Sequence, residues 1–250
     1  MRIRPFLALV GALAVSFWAP SPARATLQLK LFDNGVLITG AAIMDNGPGD
    51  ADLTIGSIDA AAVINGLITN FHFTSLGATS TNVPVGATDA NLTQSIQVTS
   101  TVGGGGTIVL QVTDTSFPLP THPVMMISTA SGSSTAVTSL TQGFNSWFNP
   151  TNAPFAMDIP APPISLSYTG TVSHSDTTTT AIPDLTPFGL TNEMTFTLEA
   201  STAGITRKMQ TSGSTIIEGA AVPEPATVIG VVSALPLLAF GVWRRRKTAS

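Results

Sequence analysis

The sequence has no cysteine among its 250 residues, which excludes disulfide scaffolds, thiolate nucleophiles and Cys-ligated metals together. Charge is scarce as well. Asp, Glu, Lys and Arg make up 10% of the chain, against about 25% in an average soluble protein. Hydrophobic residues reach 43% and mean hydropathy is +0.35, so the composition is not that of a charge-rich disordered segment. Basic residues are missing over a long interval, with no Lys or Arg from Leu31 to Thr206. Between residues 26 and 222, three bases (Lys30, Arg207, Lys208) stand against thirteen acids, a net charge of −10. Nucleic-acid binding needs cations to neutralise phosphates, and phosphoryl transfer needs a Lys or Arg clamp. The first is excluded for this body, and the second loses its usual clamp. Aromatics reach only 6%, and 22 Gly with 18 Pro leave little room for long helices outside the hydrophobic ends.

The bases that do exist are concentrated at those ends. Arg2 and Arg4 precede an apolar run from Phe6 to Trp18, which is short for about 30 Å of hydrocarbon. Pro20 and Pro22 end the run ahead of Ala23-Arg24-Ala25, an A-x-A site for signal peptidase. The expected signal peptide is 1–25, and cleavage after Ala25 leaves Thr26 first. At the other end, Ala226 to Trp243 is uncharged over eighteen residues, about 27 Å as a helix, an adequate membrane span. Pro236 would kink the span without forbidding it. Arg244, Arg245, Arg246 and Lys247 form a basic stop that stays on the cytoplasmic side.

Val222-Pro223-Glu224-Pro225 lies just before that span. Each proline biases its predecessor away from helix and withdraws an amide donor, so the strip stays extended and accessible to a processing enzyme. A Pro-Glu-Pro motif, one hydrophobic span and an Arg-rich end, in this order, resemble the PEP-CTERM sorting signal. The resemblance covers residues 222–247. It implies recognition by exosortase, with cutting or exchange of the tail, in a Gram-negative bacterium that makes exopolysaccharide. It implies nothing about activity, because such tails are attached to unrelated bodies. The expected organisation is a signal peptide (1–25), a β-rich exported domain (26–221) and a sorting signal (222–247). The sorting signal divides into motif (222–225), transmembrane helix (226–243) and basic stop (244–247).

Between the ends, short apolar or Thr-rich runs are broken by turn residues. The pattern predicts strands at Leu27–Phe32, Val36–Met44, Leu53–Ile58, Leu67–Leu76, Leu92–Val102, Thr107–Thr113, Val124–Thr129, Ile164–Val172, Met194–Ala200 and Thr211–Ile217. Several alternate apolar with polar, as in Ser95-Ile96-Gln97-Val98-Thr99, which buries one face and wets the other. Asp33-Asn34-Gly35 and Asn65-Gly66 read as hairpin turns, and the Ser/Thr-rich stretch Thr171 to Thr180 as an exposed loop. The expected fold is all-β, an antiparallel β-sandwich or jelly roll. The Pro-rich seams Phe117–Pro123 and Pro154–Pro163 are expected to be long loops of one domain, with two smaller sandwiches as the alternative.

Candidate chemistry is thin. Asp45, Asp50 and Asp52 lie on a Gly-bent loop with Asn46, and closely spaced carboxylates can contribute to a Ca²⁺ site. A plain acidic turn accounts for the same residues. His72, His122 and His174 are too scattered for a zinc site, and His72, between Phe71 and Phe73, is expected to face water. Ser173-His174-Ser175-Asp176 holds the letters of a catalytic triad without its geometry. Phe144, Trp147 and Phe148 read as core anchors, or as a patch that stacks on sugars beside Asn145 and Asn149. No catalytic residue stands out. The expected role is therefore non-catalytic, structural or adhesive in the envelope or exopolysaccharide. The alternatives are a Ca²⁺-dependent carbohydrate-binding module and, less favoured, a glycoside hydrolase, which needs two facing carboxylates.

Overall fold

Apolar residues at alternate positions build strands that bury one face each, and the computed structural model shows fourteen of them among the residues it describes. It describes residues 26–38, 42–82 and 89–219. The expected signal peptide and sorting signal lie outside the described residues. Among the described residues no helix is long and apolar enough to cross a membrane.

In chain order the strands begin with β1 (Gln28–Asp33), β2 (Val36–Leu37), β3 (Ile43–Met44) and β4 (Ser57–Asp59). A single-turn helix, α1 (Ala61–Asn65), precedes β5 (Phe71–Ser80), β6 (Ala90–Ser100), β7 (Gly106–Phe117) and β8 (Pro123–Thr135). There follow β9 (Val137–Asn149), β10 (Ile159–Pro160), β11 (Ile164–Gly170), β12 (Ser173–Ala181), β13 (Phe188–Leu198) and β14 (Lys208–Gly219). They form two antiparallel sheets packed over one hydrophobic core. Sheet A runs β10-β9-β13-β7-β1-β2, with β11 on β9 and β3 on β1; sheet B runs β12-β8-β14-β6-β5-β4. From β6 onward the chain passes between the sheets at nearly every connection, so strands that are neighbours in a sheet are far apart in sequence.

The sandwich expectation holds, and the differences from it are local. β1 and β2 are joined by Asn34 (φ 50°) and Gly35 (φ 80°), with Asp33 paired to Val36. This is the two-residue hairpin expected there, and its left-handed pair suits Asn-Gly. Asn65-Gly66 is instead the end of α1. Asn65 uses its side chain on β5: Nδ2 donates to the Phe73 carbonyl (2.8 Å), and Oδ1 accepts from Phe73 N (2.7 Å). The expected strand Val36–Met44 is two short strands, and Leu53–Ile58 shrinks to Ser57–Asp59. Thr171–Thr180 is not a loop: residues 173–181 form the edge strand β12, in register with β8 throughout. β9 was not expected at all. Its core-facing positions include Gln142 and Ser146, both buried, and on its outer face Asn149 is buried as well, which erases the apolar alternation a strand normally shows.

Two features lock the sheets face to face. The first is a close approach: a Cβ built on Gly213 of β14 would lie 2.2 Å from the Phe144 ring of β9, so the glycine is required for the ring to seat. The second is a buried polar seam. Ser128 bonds to Ser146, Thr215 Oγ1 donates to Asn192 Oδ1 (2.6 Å), and Asn192 Nδ2 donates to the Leu92 carbonyl (2.9 Å). Ser80 Oγ donates to Asp114. All four links join sheet A to sheet B.

Replacing Gly213 with Ala forces Phe144, which is 1% exposed, out of its seat. The expected loss is about 1–3 kcal/mol, read by urea unfolding, and it should shrink in a Phe144→Leu background. Full additivity of the two changes would refute the contact.

Asp114 supplies a second test. The residue is fully buried, and burial pushes its carboxyl up from 3.8 to about 6, against hydrogen bonds from Ser80 and the Thr115 backbone. The folded state therefore holds this proton between about pH 4 and pH 6 while the unfolded chain has released it. Stability contributed at Asp114 is greatest at low pH and falls as pH rises through that window. The difference is worth about 3 kcal/mol. Unfolding of Asp114→Asn beside the parent, measured across this range, should show the variant gaining relative stability with rising pH; parallel curves would contradict the assignment.

Candidate functional site

Over the middle of sheet B the outward-facing side chains are hydroxyls and amides, because polar residues there alternate with the core residues of each strand. Along β6, Ser95 and Gln97 are exposed while Ile96 and Val98 are buried. Along β14, Gln210 is exposed and Ser212 half-buried around buried Thr211. The antiparallel register aligns these positions across strands. One row runs Ser173–Ser133–Gln210–Gln97–Ser75, from β12 through β8, β14 and β6 to β5. The next runs Ser175–Ser131–Ser212–Ser95–Gly77. Ser75 reaches its place because the register shifts between Phe73 and Ser75, a bulge that re-aims the side chains beyond it.

These rows floor a groove of about 590 Å³ whose lining also includes His174. No Asp, Glu, Lys or Arg lines it. The second row is partly closed on itself, with Ser131 and Ser212 hydroxyls 2.9 Å apart. A third row, one step further along the strands, has Thr129 bonded to Thr177 (3.1 Å) and Thr93 to Ser214 (3.3 Å). In the first row the amides of Gln97 and Gln210 have no hydrogen-bond partner among the described residues. A smaller groove of about 240 Å³ lies over β4, β5 and β6, and Asp59 is its one carboxylate.

The other expected residues are placed elsewhere. Among the described residues no group of three or more His, Cys, Asp or Glu side chains is positioned to hold a metal ion, Asp45, Asp50 and Asp52 included. Their carboxylates serve the loop backbone. Asp50 accepts from Asn46 N, Asp52 N and Asp59 N, each at 2.9 Å. Asp45 accepts from Gly56 N (2.8 Å) and Asp52 from Thr54 N (2.9 Å). Hydrogen bonds from Ser57 and Thr54 hold the Asp52 carboxyl below its usual value.

The aromatic group divides by strand alternation. Phe144 and Phe148 are buried, and Phe148 packs on Phe188 (4.8 Å between ring centroids). Trp147 is half-buried on the outer face of sheet A. Asn145 reaches Glu193 (3.4 Å) and Asn149 reaches Thr191 (2.9 Å). His72 is exposed between buried Phe71 and Phe73. His122 pairs with exposed Asp184 at 2.9 Å. His174 lies edge-on to Tyr168 (5.2 Å). Ser173, Ser175 and His174 line the larger groove without Asp176. Neither groove brings two carboxylates together. Val222, Pro223, Glu224 and Pro225, the basic stop and Ala23 and Ala25 lie outside the described residues. The Gln97–Gln210 row was not singled out in the sequence; its signal is the run of polar residues at every second position of β6, β8, β12 and β14.

No protein-family model matches the chain, and no curated protein matches it. Among solved structures, a chain from the structure of infectious bursal disease virus Gx strain is 14% identical, with 82% of this chain and 54% of that one covered and a TM-score of 0.31. The chain thus spans about half the length of that viral chain. A structure titled for the promiscuous specificity of carbohydrate-binding modules of the β-sandwich superfamily is 10% identical, covering 78% and 86%, TM-score 0.29. The family 11 carbohydrate-binding module of Clostridium thermocellum is 8% identical, covering 78% and 98%, TM-score 0.25. Similarity at this level carries no argument about function, which rests below on the chain's own residues.

The hydrogen bonds of Asp50 predict a structural role. Asp50→Ala deprives three backbone N–H donors of their carboxylate acceptor and should cost about 1–3 kcal/mol. Thermal melts should show the same loss in EDTA as in millimolar Ca²⁺; a loss confined to the Ca²⁺ sample would instead establish a cation site.

Proposed function

We propose that this chain is an exported, non-catalytic surface protein that binds extracellular polysaccharide through the outer face of sheet B. The observation that carries the reading is the larger groove, crossed by five strands and lined by Ser, Gln and one His without a fixed charge. Hydroxyls and amides both donate and accept, which is what the alternating donors and acceptors of a sugar ring require. A groove that lacks two facing carboxylates lacks the machinery of ordinary glycoside hydrolysis, so binding without cleavage is the reading.

Export and sorting rest on the sequence. The signal peptide and its Ala23-Arg24-Ala25 site would deliver the domain across the inner membrane, and residues 226–243 would hold it there. Val222-Pro223-Glu224-Pro225 would then be offered to exosortase, releasing the domain to the cell surface or matrix. The acidic body, low in cations, suits an envelope in which the ligand is not a polyanion.

Three measurements test the two halves. The exported protein should begin at Thr26 by N-terminal sequencing. A variant with Pro223→Ala and Pro225→Ala should remain in the inner-membrane fraction, whereas the parent leaves it. In pull-downs with insoluble polysaccharides the full chain should be retained by at least one matrix and show no release of reducing sugar. Complete absence from every matrix would remove the binding role.

A further inference from the structure

Accepting that reading of the groove, the geometry points to a narrower ligand: a linear, uncharged polysaccharide in extended form, lying across the strands along the Ser173–Ser133–Gln210–Gln97–Ser75 row.

Direction comes from spacing. Neighbouring strands lie about 4.8 Å apart, whereas outward side chains along one strand repeat about every 6.6 Å. The strand-to-strand interval is close to the length of one hexopyranose residue in an extended, equatorially linked chain. Only the crossing direction therefore presents the same kind of polar group to successive sugars. Five strands give four intervals, about 19 Å in all, or about four sugar residues.

The choice of row comes from hydrogen bonding. Ser131 with Ser212, Thr129 with Thr177 and Thr93 with Ser214 already spend part of their hydrogen-bonding capacity on one another, so less of it faces a ligand there. The amides of Gln97 and Gln210 stand opposite each other in register with no partner among the described residues. Each amide offers two donors and an acceptor with two lone pairs. The pair sits at the middle of the row, where a bound chain excludes most water.

Neutrality comes from charge. Nothing cationic lines the groove, while the body carries three bases against thirteen acids. A polyuronate or sulfated chain would bring like charge to a surface that offers no counter-charge.

Isothermal titration of the full chain with β-1,4-linked glucose oligomers, from dimer to hexamer, tests the assignment, with oligogalacturonates as the charged control. Affinity should rise to about the tetramer and then level. Gln97→Ala with Gln210→Ala should weaken tetramer binding at least about tenfold. Thr197→Ala, on the outer face of sheet A, should leave it unchanged. Both Gln positions are exposed, and far-UV circular dichroism with the melting temperature verifies that the fold persists. Equal or tighter binding of galacturonates overturns the ligand class while the polysaccharide-binding function stands. Levelling at the dimer, or indifference to the Gln pair, overturns the row. If no glucose oligomer binds while an insoluble polysaccharide still retains the chain, the ligand assignment falls alone; if nothing binds, the functional reading falls with it.

Discussion

A seam of buried side-chain hydrogen bonds sets how the two sheets meet, and the rest of the structure depends on it. Apolar burial supplies the larger driving force, but it is non-directional and would tolerate sliding of one sheet over the other. The links Ser128–Ser146, Thr215–Asn192, Asn192–Leu92 and Ser80–Asp114 are directional. Each group left unpaired in the interior costs about 1–3 kcal/mol, so a shifted arrangement loses several at once. The registration that satisfies the seam is also the one that seats Phe144 over Gly213. Polar specificity and steric fit select the same packing.

The inner face of sheet B thereby decides its outer face. Once Leu92, Ile96 and Val98 of β6 point inward, the pleat turns Ser95 and Gln97 to solvent. The same holds for Gln210 and Ser212 on β14. With cations absent from Leu31 to Thr206, the exposed side of these strands is built, over the groove, from hydroxyls and amides. Scarcity of charge and β alternation, two properties visible before any folding, together produce an uncharged polar groove.

Legibility varied with how well each segment kept the alternating pattern. β6 and β14 keep it and match the expected strands to within three residues, whereas β13 keeps it only from Met194 onward, so the expected strand Met194–Ala200 misses its start at Phe188. β9 does not show in the pattern because Gln142 and Ser146 occupy inward positions, where Gln142 accepts from Tyr168 (2.7 Å) and Ser146 bonds to Ser128. β12 was read as a loop because, as an edge strand, it has no apolar face to show. Asn65-Gly66 misled for a different reason: the dipeptide favours chain reversal, and the end of a short helix uses that preference as readily as a hairpin does. At the acidic loop, closely spaced Asp residues fit a cation or a set of backbone N–H groups equally well until the fold shows which donors lie nearby.

The sequence alone determined the β class, the Asn34-Gly35 hairpin and the negative, cation-poor body, since these follow from local sterics and from counting charges. The tertiary structure alone decided which strands are neighbours. The row of residues 75, 97, 133, 173 and 210 comes from five strands that local preference could not pair. Their adjacency arises because the chain crosses between sheets at successive connections, and strand pairing over such distances is selected by closure of the whole core, not by any neighbouring residues.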